Sequence, residues 1–105
     1  MATREQIERA KAIVMKDCKG AGRLVDDYGR TCALGALGRA AGLSDYELHL
    51  DRDYVKIGKV LHTTFGLSAK VFWKIIDAND TNNTPKERRK AVCAVLDTVV
   101  IEEDN

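Results

Sequence analysis

Apolar residues recur along this chain at intervals of three and four, the spacing of helix faces rather than of strands. Ile7, Ala10, Ile13 or Val14, and Cys18 form the first stripe. Thr3 and Gln6 open it as a capping box, and Gly20 stops it. Glu5 and Glu8 stand near its start, Lys16 and Lys19 near its end, in the sense that the helix dipole favours. The stretch Thr31–Gly42, T-C-A-L-G-A-L-G-R-A-A-G, predicts a short buried helix and organises the rest of the chain. Leu34, Leu37 and Ala41 share one face, and Ala33, Ala36 and Ala40 follow the adjacent stripe. Gly35 and Gly38 each cost a helix interior about 1 kcal/mol against alanine. Their missing β-carbons are therefore expected to admit another backbone or a ligand.

Further along, Ser44 and Glu47 form a second capping box, starting a short helix through Leu48 and Leu50. Asp51 or Asp53 caps the next, which turns Tyr54, Ile57, Val60 or Leu61, and Phe65 inward and ends at Gly66. Ser68 caps a helix with Val71, Phe72, Ile75 and Ile76 inward, closed by the polar loop 79–83. Thr84, Pro85 and Glu87 supply the N-cap, N1 and N3 residues of the last helix. Its stripe runs through Ala91, Val92, Val95, Leu96 and Val99, before a frayed tail from about residue 102. Residues 23–32 leave two readings open, a small hairpin or an ordered loop leading to Thr31 as N-cap. The pattern predicts an all-α fold: a single domain over residues 1–105, a compact bundle of five or six short helices.

Composition narrows the function more than it specifies it. With 105 residues, a core forms without metal or disulfide staples. The net charge of +1 supplies no global field toward nucleic acid or membrane. No apolar run approaches the roughly 20 residues of a membrane span. The polar start M-A-T-R-E-Q is not an ordinary signal peptide, so a cytoplasmic location is expected. Cys18, Cys32 and Cys93 have neither disulfide-framework nor zinc spacing and are expected to be buried free thiols.

Three stretches invite a functional reading. Leu61, Gly66, Leu67, Ser68, Phe72 and Ile75 fit a helix-turn-helix pattern across residues 55–77. Against it, His62 occupies the crowded position, and Lys70 and Lys74 are the only cations of the recognition helix. Lys86, Arg88, Arg89 and Lys90 crowd the N-terminal end of the last helix, while Glu102, Glu103 and Asp104 follow its C-terminal end. Both placements oppose the helix dipole, so the basic end is a candidate partner surface. Trp73 stands among Val71, Phe72, Ile75 and Ile76. A central, surrounded helix is the simpler account of that apolar excess; an open face for a partner is the other. Catalytic sets are thin. Nothing orients His49 or His62 toward Cys32, and Asp26, Asp27, Asp51 and Asp53 lack calcium-loop spacing, so no metal or cofactor is expected.

Two motifs taken together carry a resemblance. Gly29-Arg30-Thr31-Cys32-Ala33-Leu34-Gly35-Ala36-Leu37 resembles a G-x-x-C-x-x-G-A-hydrophobic signature. Ile75 through Asn79-Asp80, then Asn83-Thr84-Pro85-Lys86-Glu87, resembles a helix ending in Trp-Asn-Asp before an Arg-Thr-x-x-Glu helix start. The pair is similar to an uncharacterised family of small proteins from actinobacteria and their phages. Ala78 replaces the usual Trp and Asn83 the Arg, and Trp73, one turn back, could fill the lost volume. The resemblance implies a setting, a phage or actinobacterial accessory protein in the host cytoplasm, rather than a reaction. Cys32, Gly35, Ala36, Asn79 and Asp80 are its motif residues, read first as structural, with Asn79 and Asp80 bonding backbone near the start of the Cys32 helix. A pocket joining Cys32, Asn79 and Asp80 is the functional counterpart.

The expectation is a non-enzymatic protein that binds a host protein or a second copy of itself, through Lys86, Arg88, Arg89, Lys90 and Trp73. A homodimer through the Gly/Ala helix is compatible with it. The alternatives are a small DNA-binding regulator using residues 55–77 and an enzyme or ligand-binder built on Cys32.

Overall fold

Six helices follow one another through residues 2–19, 24, 30–50 and 54–101, the part of the chain that the computed structural model describes. They are α1 (Arg4–Asp17), α2 (Ala33–Ala40), α3 (Asp45–Leu50), α4 (Tyr54–Phe65), α5 (Ala69–Asp80) and α6 (Pro85–Asp97). Extended pairing among the described residues consists of two isolated bridges, Ala2 with Ile101 and Cys18 with Thr31. The all-α expectation holds. Most of the hairpin or loop at 23–32, namely residues 23 and 25–29, lies outside the described residues, as do the caps at Asp51 and Asp53 and the tail at 102–105.

The local signals act as their chemistry requires. Thr3 accepts from the Gln6 N–H while Gln6 accepts from the Thr3 N–H, closing the first capping box. Ser44 and Glu47 do the same for α3. Ser68 caps α5, and Thr84 caps α6 with Pro85 at its start. Two boundaries differ from expectation. The N-cap of α2 is Cys32, whose sulfur accepts from the Gly35 N–H at 3.5 Å. Thr31 is drawn instead to α1, donating its hydroxyl to Asp17 O and accepting from the Lys19 N–H. Helix α5 runs on through Asn79 and Asp80, because the next loop bonds back to it: Asn82 donates to Ala78 O and Thr81 to Asp77 O.

Helix α2 touches each of the other five helices. Its residues 33–38 are all buried, against Ile7, Ala10 and Val14 of α1, Ile57, Leu61 and Phe65 of α4, Phe72 and Ile75 of α5, and Val92 and Leu96 of α6. Glycine makes the crowding tolerable. A β-carbon on Gly35 would lie 1.8 Å from the carbonyl oxygen of Leu24, so what approaches is backbone. On Gly38 it would meet the Leu48 and Leu43 side chains at 3.2 and 3.4 Å. At the α4–α5 turn, Gly66 adopts φ +70 and would carry its β-carbon to 2.8 Å from Ala2. That turn is held from the N-terminus by Gln6, which donates to Thr64 O at 3.2 Å. No helix among the described residues is long and apolar enough to cross a membrane.

Candidate functional site

Helix α4 has two working faces. Ile57, Leu61 and Phe65 point into the core. Val55, Gly58, Lys59, His62 and Thr63 recur at the same helical spacing on the outer side. Leu67, Ala69, Phe72 and Trp73 complete the opposite wall, enclosing an open groove of about 790 Å³. That size matches a surface taking one face of a partner segment or an apolar ligand of several hundred Å³. The groove has a buried floor and an exposed lip. Phe72 is 4% exposed, whereas Val55 and Trp73 are 62% and 57% exposed. The Trp73 ring stands edge-on to Phe72, with centroids 5.5 Å apart. Beyond Trp73, a shallower trough is lined by Lys70, Lys74, Asp77, Ala78 and Val95, so the indole forms the ridge between two depressions. The expectation of a surrounded helix is thereby corrected: α5 buries one face against α6 and presents Trp73 outward, leaving its other side open.

The basic end of α6 is built differently from the partner surface expected of it. Arg88 is buried, 8% exposed, and donates through Nε to Asn82 O and through Nη2 to Asn83 O, both at 2.9 Å. Arg89 is half-buried and donates to Cys18 O at 3.1 Å, the cap carbonyl at the C-terminus of α1. These two arginines oppose the dipole of their own helix but donate to backbone carbonyls, one of them at a negative helix end. Lys86 and Lys90 remain exposed. Arg88 is thus a loop clamp and Arg89 a helix tie, which corrects their assignment to an exposed basic quartet.

The motif residues Cys32, Asn79 and Asp80 do meet, at the start of α2. Asn79 is buried; its Oδ1 accepts from the Ala33 N–H at 3.4 Å and its Nδ2 donates to Asp80 Oδ1 at 3.4 Å. With Cys32 accepting from Gly35, two of the orphan N–H groups of α2 are satisfied. Burial pushes the Cys32 thiol above its ordinary range, and burial with the neighbouring Cys32 pushes Cys18 up to about 11. Burial raises Cys93 as well. All three cysteines are free thiols, held in the protonated form that makes a poor nucleophile. Gly35 and Ala36 serve the packing of the same helix. This junction is a helix start locked by side chains. Among the described residues no group of three or more His, Cys, Asp or Glu side chains is placed to hold a metal ion.

Trp73 stands out in the sequence by its apolar neighbours, and Lys70 and Lys74 only as cations of a would-be DNA-reading helix. Val55, Gly58 and Lys59 do not stand out in the same way. The available signal was a second 3–4 spacing on α4, Val55-Gly58-Lys59-His62, out of phase with the Ile57-Leu61-Phe65 core stripe.

The chain belongs to a family of unknown function, DUF6197, whose model matches residues 1–101. No curated protein and no solved structure matches it.

Proposed function

We propose that this protein is a binding module whose α4/α5 groove receives a segment of another protein. The observation that carries the reading is the lip of the groove: a tryptophan and a valine, each more than half exposed, beside a buried aromatic floor. Apolar side chains kept at a surface contribute little to folding, and tryptophan is the residue type most often found at the energetic centre of protein interfaces. In the setting that the motif resemblance implies, the partner is a host protein and the module an accessory of actinobacteria or their phages.

The test is capture from an actinobacterial lysate by the tagged protein, alongside a Trp73→Glu variant of unchanged melting temperature. The expected result is one stoichiometric protein that survives nuclease and is lost with Trp73→Glu. Recovery that vanishes with nuclease and ignores the substitution overturns the reading. It would favour a second one, DNA binding by α5, for which the α4–turn–α5 connection through Gly66 and the exposed Lys70 and Lys74 speak.

A further inference from the structure

We infer that the occupant of the α4/α5 groove is a single amphipathic helix with acidic residues beside its apolar stripe, crossing α4 at Gly58. The inference rests on the groove being a protein-binding surface and names what fills it. Glycine is the costliest residue after proline in a helix interior, and among the described residues each other glycine in or beside a helix has a structural reason. Gly35 and Gly38 admit neighbours, while Gly42 and Gly66 take positive φ. Gly58 has neither reason. It sits inside α4, a β-carbon there would meet nothing within 4 Å among the described residues, and it lines the groove. Its notch leaves room for a backbone arriving from outside.

The walls decide the shape of that backbone. Both are helices, and no sheet edge is offered among the described residues, so helix-in-groove docking applies rather than strand addition. Charge decides the chemistry. Lys11 and Lys56 elsewhere on the surface pair with Asp97 and Glu47. Lys59 on the groove, and Lys70 and Lys74 on either side of Trp73 along α5, make no ion pair among the described residues. Among the described residues no carboxylate lines the groove, and Asp77 in the outer trough is the nearest acid along α5. An acidic helix complements this rim; a basic one is repelled by it. The twelve residues of α4 extend about 18 Å, so a partner helix of about three turns covers the site.

The probes are two synthetic helical peptides sharing one leucine stripe, flanked by glutamate in one and lysine in the other. Trp73 is the only tryptophan of the chain, so its emission reports occupancy directly. The acidic peptide is expected to shift that emission to the blue in a salt-sensitive way. Gly58→Leu, which meets open space in the free protein, is expected to weaken it by about tenfold or more, with Lys59→Glu acting in the same direction. Equal binding of both peptides overturns the acidic assignment and leaves the groove reading standing. Binding indifferent to Gly58→Leu overturns the crossing point. If neither peptide moves the emission, the helical occupant is wrong, and the groove reading stands or falls on the capture experiment alone. A shift produced by raising the protein concentration without peptide makes the occupant a second copy and overturns the inference; a shift produced by duplex DNA alone overturns both readings.

Discussion

Among the described residues three glycines lie inside helices, and one atom, a β-carbon, separates their roles. Gly35→Ala drives that atom against the Leu24 backbone, which has no flexible end to give way. The expected cost is about 1–3 kcal/mol or more, as for other overpacked positions, measured by urea denaturation. Gly58→Ala meets no atom of the described residues and is expected to stabilise the protein by about 1 kcal/mol in the same assay. A loss on Gly58→Ala would show that the position serves the fold. The sequence pattern marked Gly35 and Gly38 because they sit in an alanine- and leucine-rich run, where close packing is the ordinary reason for glycine. It could not mark Gly58, whose significance lies in an empty space and not in its neighbours. Titration acts at this scale too. Cys18 is a thiol whose folded-state value, about 11, lies above its ordinary 9.0, so the folded protein holds its proton longer than the unfolded chain. The stability this contributes is complete below pH 9 and is lost as pH rises from there through 11. Unfolding free energy of Cys18→Ala is therefore expected to fall less steeply than wild type across that window. Parallel alkaline limbs for the two proteins would remove Cys18 from the account.

At the level of elements, helix starts were legible and chain reversals were not. Thr3-Gln6, Ser44-Glu47, Ser68 and Thr84-Pro85-Glu87 act within four residues of themselves, so local chemistry decides them. The N-terminus of α2 depends on Asn79, 46 residues away, and on Thr31 being claimed by α1. No local rule reveals either. The basic stretch of α6 makes the same point with charge. Its dipole mismatch was visible in the sequence, but the carbonyls that account for it belong to the loop 82–83 and to Cys18. Arg88→Ala leaves two loop carbonyls without their donor and is expected to cost about 2–4 kcal/mol, since bonds from charged donors contribute about 1.5–3 kcal/mol each and rarely add in full. Lys86→Gln and Lys90→Gln, on exposed positions of the same helix, are expected to stay within about 0.5 kcal/mol. Thermal melts of the three variants check the contrast; equal losses would return the basic end to the status of one solvated patch.

Across the whole molecule, the buried core and the open groove occupy different sides. The core closes on α2, and the chain ends are drawn together behind it: Ala2 is fully buried, pairs with Ile101 and lies under Gly66, while Lys11 reaches Asp97 at 2.7 Å. The groove lies on the outer side of α4 and α5, where Trp73 and Val55 face solvent. If that lip belonged to the folding core, removing its apolar surface would lower stability as a core truncation does. Leu96→Ala, fully buried on α6, supplies the comparison, with an expected cost of about 2–5 kcal/mol. The pair Val55→Thr and Trp73→Gln is expected to change unfolding free energy by less than about 1 kcal/mol, two surface substitutions at about 0.5 each, with the denaturant slope unchanged. The same pair is expected to raise solubility, because it removes the exposed apolar patch. A loss approaching that of Leu96→Ala would make the groove a part of the fold and leave nothing there for a partner to cover. Unchanged stability with raised solubility would mean that this chain carries an apolar surface it does not need for folding, at a cost in solubility that only an occupant explains.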